Sequence, residues 1–257
     1  MKAWHFVILS SCHLRQEECY NTTMPIIAPL PRSDAAELLD APIADLGALA
    51  DNLRDLRALD RYLGGTALTW RALLPMLRRL PPGARATLLD VATGAADAPR
   101  RLAALAHGQG YDLRPVASDR LWEVLRFARA AGVTFPLVQH DASAIPIGDS
   151  GVDFVTCSLA LHHFDPQAAA TLLRELARVA RRGVVVNDLR RSRLAYLGAR
   201  LLALGPWHAM ARHDGPLSVL RAYTLIEAQE LVRQAGLEGA RVEARPLFRM
   251  LIVICKV

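Results

Sequence analysis

Residues 87–97 read Thr-Leu-Leu-Asp-Val-Ala-Thr-Gly-Ala-Ala-Asp, and this order of residue types predicts the architecture of the chain. The short apolar run at its start has the length and composition of a buried strand. The small residues around Gly94 that follow would let a ligand approach the backbone closely. The stretch therefore predicts the first strand of an α/β sheet with a binding turn at its carboxyl end.

The same succession of strand, turn and helix repeats along the rest of the chain. We predict strands at residues 87–91, 113–118, 135–139, 152–158 and 183–186, with helices at 99–106, 121–131 and 166–180. This alternation is typical of a doubly wound parallel sheet covered by helices on both faces. Two final strands, at 242–245 and 250–254, are joined closely enough to be antiparallel, so the predicted seven-stranded sheet is mostly parallel with an antiparallel strand near its C-terminal end.

The regions outside the sheet divide into three segments. Residues 1–33 form a leader that we expect to be irregular, and translation starting at Met24 instead of Met1 is one explanation for it. Residues 34–83 form a helical prelude, since leucines recur there at steps of three and four. Residues 84–257 form the α/β core, with a helical lid at about 190–222. Together, residues 34–257 are predicted to be one domain.

Composition excludes several classes of function. The 31 basic and 25 acidic residues give a net charge of +6, but the arginines are scattered and aromatic residues are sparse, which argues against a nucleic-acid surface. The apolar run at residues 4–9 is too short to span a membrane. No cysteines have C-x-x-C spacing, so no metal site is expected, and a cytoplasmic location fits best.

Candidate binding residues follow the predicted strands, because ligands of open α/β sheets bind beyond the carboxyl ends of the strands. Asp119 lies after the second strand, where a carboxylate could accept both hydroxyls of a ribose. Asp141 and Ala142 follow the third strand and could read an adenine edge. The full set of predicted cofactor-binding residues is Asp90, Ala92, Thr93, Gly94, Asp97, Asp119, Arg120, Asp141, Ala142 and Ser158.

In this order and spacing, the motifs resemble those of class I S-adenosylmethionine (SAM)-dependent methyltransferases, which have a Rossmann-like sheet. Leu88 to Gly94 is similar to that family's first motif, a strand followed by D-x-G-x-G-x-G. Asp119 matches its ribose-binding acid, and Asp141 with Ala142 matches its adenine-binding step. Residues 161–164, Leu-His-His-Phe, resemble the subgroup with ubiquinone and menaquinone C-methyltransferases and small-molecule O-methyltransferases. The resemblance implies SAM as cofactor and a small apolar, phenolic or quinone-like metabolite as methyl acceptor.

The first motif departs from the family pattern at two positions. Ala92 and Ala96 stand where the family has glycines, and each is expected to place a methyl group toward the ligand. A pyrophosphate cofactor needs the closest backbone approach, so this departure argues against an NAD-dependent oxidoreductase on a related fold. That reading stays open as an alternative, together with a SAM-binding protein without catalysis.

On the acceptor side, His162 and His163 are the candidate catalytic bases, with His163 favoured. The alternative for either ring is a purely structural role. Asn187 and Asp188 end the fifth strand and could contact the substrate, and Arg61 and Tyr62 could help to close the cofactor site. Partners are expected to be limited to the acceptor, with the protein a monomer or homodimer.

Overall fold

A computed structural model describes residues 30–40 and 45–256. The predictions for the leader and for Met24 concern residues that lie outside this range, apart from the end of the leader at 30–33. Within the described ranges no helix is both long enough and apolar enough to cross a membrane.

The sheet confirms the predicted fold class. Its strands are β1 (Arg85–Val91), β2 (Asp112–Asp119), β3 (Leu137–Gln139), β4 (Val152–Ser158), β5 (Ala180–Leu189), β6 (Arg241–Arg245) and β7 (Arg249–Cys255). They form one seven-stranded sheet in the order β3-β2-β1-β4-β5-β7-β6. Strands β1 to β5 are parallel, and β7 runs antiparallel to both β5 and β6. The order reverses between β1 and β4, which is where ligands of such sheets bind.

The helices are α1 (Leu46–Leu63), α2 (Gly65–Leu77), α3 (Asp97–His107), α4 (Trp122–Ala130), α5 (Pro166–Val179), α6 (Arg193–Leu202), α7 (Ala209–Arg221) and α8 (Leu225–Gln234). Short 3₁₀ turns occur at Leu38–Asp40 and Leu161–His163. The segment predicted as a helical lid contains two helices, α6 and α7. The sequence did not predict α7 as a separate helix, because Pro216 lies inside it and its apolar residues form no clear stripe.

Local signals account for the ends of α1. The Asp45 side chain accepts hydrogen bonds from the backbone N–H groups of Gly47 and Ala48, as an N-cap does. Gly64 then ends the helix in the left-handed conformation, with φ of 69°. The next residue, Gly65, already begins α2.

Both faces of the sheet are buried, as a doubly wound fold requires. Neighbouring residues of β5 show the alternation, since Val184 and Val186 belong to the cluster formed with α5 and α8, whereas Val185 belongs to the cluster formed with α2 and α3. The carboxyl ends of β1, β2, β4 and β5 are thereby fixed on a rigid platform, and the candidate site lies along that edge.

Candidate functional site

The carboxylate of Asp90 ties the first turn to the sheet. Asp90 is buried at the end of β1, and it accepts hydrogen bonds from the hydroxyls of Thr93 at 2.7 Å and Thr156 at 2.6 Å. Burial raises the pKa of Asp90 to about 6, against the lowering effect of these two hydroxyls. The turn is therefore anchored to both β1 and β4.

Asp119 joins the same turn to the end of β2. Its Oδ2 accepts a hydrogen bond from the backbone N–H of Gly94 at 3.0 Å, and its Oδ1 accepts one from Leu121 at 3.1 Å. Burial raises the pKa of Asp119. Each carboxylate oxygen keeps a further acceptor position. Below, the carboxylate turn means Asp90, Thr93, Gly94 and Asp119.

The backbone of the turn is left-handed at three positions. Ala92, Gly94 and Ala96 have φ values of 54°, 56° and 55°, a conformation that glycine adopts most easily. The expectation that Ala96 turns its methyl group toward the ligand is wrong, because Ala96 is fully buried in a cluster with Ala117 and Ala128. Ala92 is only partly buried, against the main core cluster. The Ala96 methyl thus fills the core and does not narrow the site.

Asp97, another predicted cofactor ligand, is the first residue of α3, and its carboxylate binds the guanidinium groups of two arginines. Its carboxylate accepts hydrogen bonds from Arg57 of α1 and from Arg100, the latter at 2.6 Å. Sequence reasoning missed Arg57 and selected Arg61 and Tyr62 from the same helix. Both of those side chains are exposed, Tyr62 by 79%, and their role in closing the cofactor site stays a prediction. Asp97 therefore serves as a contact between α1 and α3.

The loop after β3 brings Asp141 and Ala142 to the edge that carries Asp119. The backbone N–H of His140 donates to the Asp119 carbonyl at 3.3 Å. The exposed Asp141 carboxylate accepts from the Ser143 hydroxyl at 2.6 Å and from the Ser143 N–H at 2.8 Å, and these hydrogen bonds lower its pKa. Ala142 packs partly against the main core.

The remaining predicted positions lie farther along the edge. Ser158 ends β4 beside Asn187 of β5, and the exposed Arg120 donates to the Asp40 carbonyl at 3.3 Å. Asn187 does not face the rim as expected. It is fully buried, and its amide donates to the Gly65 carbonyl of α2 at 2.8 Å.

His162 lies in a buried arrangement of carboxylates. Its Nδ1 is 2.7 Å from Asp188 Oδ1, its backbone N–H donates to Asp188 Oδ2 at 3.0 Å, and its Nε2 is 3.5 Å from Glu37 Oε1. Burial alone would lower the pKa of His162, but Asp188 and Glu37 raise it to about 10. A protonated ring has no lone pair to accept a proton, so this geometry does not fit the predicted role of His162 as a base.

His163 is placed similarly but is partly exposed. Its Nδ1 is 2.7 Å from Asp40 Oδ1, and its Nε2 is 3.7 Å from Glu37 Oε2. The role of His163 as a base stays a prediction. Below, the histidine cluster means Glu37, Asp40, His162, His163 and Asp188. The sequence selected Asp188 and the two histidines, but it missed Glu37 and Asp40 of the 30–40 segment.

Two arginines hold that segment over the histidines. Arg221 of α7 donates to Asp40 Oδ2 at 2.6 Å and to the His163 carbonyl at 2.9 Å. Arg32 donates to the His162 carbonyl at 3.1 Å. Sequence reasoning missed both arginines, because nothing local marks a contact between residues so far apart in the chain.

Further contacts from α7 complete the attachment. Asp214 accepts hydrogen bonds from the backbone N–H groups of Leu38 at 2.9 Å and Leu39 at 3.2 Å. The Ser218 hydroxyl donates to Glu37 Oε1 at 2.9 Å. The position of Glu37 is therefore set from the α7 side as well as by the histidines.

A groove of mixed lining lies beside this assembly. It has a volume of about 420 Å³, runs between the 30–40 segment, α6 and α7, and is lined by Leu217 and Leu220 but also by Arg200, Arg212 and His213. Apolar side chains are exposed nearby, namely Leu194, Leu197, Leu201 and Leu202 of α6 and Leu204 just after it. The sequence predicted an apolar lid in this segment, and its role as a lid stays a prediction.

Comparison with known proteins finds a family model that matches part of the chain. Residues 88–183 match the family model of a methyltransferase domain. No curated protein matches the chain. The matched region contains the carboxylate turn and both histidines, and it ends within β5.

Solved structures share the fold at low sequence identity. Human N-acetylserotonin methyltransferase in complex with SAM is 15% identical with a TM-score of 0.56, over 85% of this chain and 61% of that one. Magnesium protoporphyrin IX methyltransferase from Synechocystis PCC 6803 with bound S-adenosylhomocysteine (SAH) is 14% identical with a TM-score of 0.52, over 76% and 84%. A chain of the complex between the Haloferax volcanii Trm112 methyltransferase activator and a methyltransferase is 18% identical with a TM-score of 0.54, over 84% and 99%.

The fold and the matched region point to the same class of domain. Residues 88–183 match a methyltransferase domain, and the seven-stranded sheet that contains them has the fold of solved methyltransferases crystallised with SAM or SAH.

Proposed function

We propose that the protein transfers a methyl group from SAM to a small apolar metabolite of phenolic or quinone-like type. The observation that carries the proposal is the carboxylate turn, which lies within the matched methyltransferase domain and at the reversal of strand order. Carboxylates at this edge suit a cofactor that carries ribose hydroxyls and a positively charged sulfonium.

The residues of the edge fit SAM. Asp119 has free acceptor positions for the ribose hydroxyls, and Asp141 with Ala142 is at the neighbouring strand end, where the adenine would lie. Gly94 faces open space, since a Cβ atom built on it would meet nothing within 4 Å. The negative charge of Asp90 and Asp119 would stabilise the cationic cofactor, most strongly because both carboxylates are desolvated.

We propose that the acceptor binds beside His163. That ring is the more exposed of the pair, with 23% of its side chain accessible against 3% for His162. The exposed leucines of α6 offer an apolar surface for a flat, weakly polar molecule, and the neighbouring groove adds the polar groups of Arg200, Arg212 and His213. SAM supplies the activated methyl group, so the chain has mainly to align donor and acceptor and to exclude water.

Binding and turnover test the proposal separately. Calorimetry with SAM and SAH should give micromolar dissociation constants, a binding free energy of about 8 kcal/mol. Incubation with SAM and a panel of phenols and quinols should then yield products heavier by one methylene unit in mass spectrometry. Binding of NAD without binding of SAM would overturn the proposal. If the protein binds SAM but methylates no acceptor, both with and without an added divalent metal ion, it would be a SAM-binding protein without catalysis.

A further inference from the structure

The three side chains at the centre of the histidine cluster converge on one point. Glu37, His162 and His163 each offer one ligand atom, and these atoms lie within 4.8 Å of one another. The two Nε2 atoms address different oxygens of the same carboxylate, at 3.5 Å and 3.7 Å. The two rings are neighbours, with centroids 4.3 Å apart.

These separations are longer than ordinary hydrogen bonds. An N–H···O bond spans about 2.7–3.2 Å between heavy atoms. Two ligands of a tetrahedral zinc ion with bonds of about 2.0–2.1 Å lie about 3.4 Å apart, as the edge of the tetrahedron. The distances from Glu37 to the two Nε2 atoms are therefore closer to the edges of a coordination polyhedron than to hydrogen bonds.

The outer nitrogens of both rings are held in the way that metal-binding histidines require. His162 Nδ1 is 2.7 Å from Asp188, and His163 Nδ1 is 2.7 Å from Asp40. A carboxylate that accepts the Nδ1 proton leaves Nε2 as the metal-binding atom and fixes the orientation of the ring. The proton that His162 carries on Nε2 without a metal ion would be released to solvent as the ion binds. This pairing occurs at both histidines and is independent of the convergence on Glu37.

We propose that Glu37, His162 and His163 bind a divalent transition-metal ion, of which Zn²⁺ is the representative. Two imidazole nitrogens and one carboxylate oxygen suit zinc, iron, cobalt or nickel better than magnesium or calcium, which prefer all-oxygen sites. The cluster also favours a dication by charge, because Asp40 and Asp188 add two carboxylates and Arg221 balances one of them.

Three protein ligands leave a coordination position for another oxygen. The partly exposed side of His163 is the route by which ion and solvent would reach it. Resting on the proposed function, an acceptor hydroxyl bound at that position would lose its proton to solvent more readily, because the metal ion stabilises the oxyanion. Binding of the ion itself does not depend on methyl transfer.

Metal titration of the full chain tests the inference. The purified protein is stripped with a chelator, and Zn²⁺ and Co²⁺ are then added in calorimetry and visible absorption, with metal content measured by mass spectrometry. We expect one ion per chain at this site, with a Co²⁺ spectrum typical of nitrogen and oxygen ligands. His163→Ala and Glu37→Gln should each weaken binding at least 100-fold, and Asp40→Asn should weaken it about 10–100-fold, as is usual for a group that orients a ligand.

Matched variants guard against other sources of binding. His213→Ala removes a histidine that pairs with Asp214 outside the cluster, and it should leave affinity unchanged. A Cys12→Ser/Cys19→Ser chain should also keep the ion, since neither thiol belongs to the proposed site. Circular dichroism confirms that each variant is folded. His163 is less buried than Glu37, so we expect its replacement to disturb folding less. If Glu37→Gln does not fold, the His163→Ala result alone decides the test.

The outcomes separate the two proposals. No binding of Zn²⁺ or Co²⁺, or binding unchanged in the folded His163→Ala variant, overturns the metal site. SAM calorimetry on the same stripped and loaded samples reports on the cofactor site alone. Intact SAM binding without a metal ion would leave the proposed function standing and remove only this inference.

Discussion

The carboxylate turn and the histidine cluster lie at the same edge of the sheet but are assembled differently. In the turn, acidic side chains bind hydroxyls and backbone N–H groups, most of them in the loops that follow β1 and β2. In the cluster, charged side chains bind one another across up to 181 residues of sequence, as Arg221 does with Asp40. The strand ends of the sheet position the turn, whereas the cluster is complete only because the 30–40 segment and α7 pack onto the 3₁₀ turn at Leu161–His163.

Removing a buried counter-charge from the histidine cluster should have a large effect on the free energy of unfolding. In chelator-treated protein, Asp188→Asn leaves the buried His162 without its main counter-charge, and we expect a loss of about 3–5 kcal/mol in the free energy of unfolding, measured with urea. Asp149→Asn is the matched control, because Asp149 forms an ion pair with Arg178 but is 81% exposed. It should change stability far less. Similar effects of the two changes would mean that the cluster is no more tightly coupled than the surface.

The buried Asp90 of the carboxylate turn should make the stability of the folded protein depend on pH. Burial raises the pKa of Asp90 to about 6 in the folded protein, from about 3.8 when unfolded. The folded state then holds its proton more tightly, so Asp90 makes stability fall as pH rises from about 4 to 6, by on the order of 3 kcal/mol. The lowered pKa values of Glu37 and Asp188 act in the opposite direction.

A difference curve isolates this contribution. Asp90→Asn cannot ionise, so its stability relative to the parent should increase between pH 4 and pH 7 in urea unfolding. Its value below pH 4 is the internal control for lost hydrogen bonds. A flat difference across this range would show that Asp90 is not desolvated as the structure indicates.

Cofactor binding should depend on the turn and not on strand β2 as a whole. Asp119→Ala removes the acceptor that faces the proposed ribose, and we expect SAM affinity to fall about 10–100-fold, or about 1.5–3 kcal/mol. Asp112→Ala removes an acidic side chain at the other end of the same strand, and calorimetry should find its affinity unchanged. If the parent protein and both variants bind SAM with equal affinity, the cofactor does not bind at the end of β2.

The smallest expected effect comes from the two left-handed alanines. Glycine relieves the backbone strain at either position, but Ala96→Gly also removes a fully buried methyl group, worth about 0.8 kcal/mol. Ala92→Gly should therefore be the more stable variant by roughly that amount in chemical unfolding. The reverse order would mean that the Ala92 methyl contributes more to the core than its partial burial suggests.

The same contrast explains what the sequence could predict. Residues such as Asp90 and Asp119 stand at the carboxyl ends of strands, so an inspection of strand ends finds them. Glu37 and Arg221 meet the histidines only through tertiary packing, and no local pattern marks them. Asn187 was placed on the rim, although strand alternation gave the information needed: it lies two residues after Val185, on the α2 face.

The dependence of the histidine cluster on Arg221 has a consequence for synthesis on the ribosome. Arg221 follows Asp119 by 102 residues, which a ribosome takes about 5–20 s to add at about 5–20 residues per second. During that interval the chain already contains the whole carboxylate turn, while the 30–40 segment has no α7 to hold it. The histidine cluster can therefore be completed only after α7 has been made, whereas all residues of the carboxylate turn are present earlier.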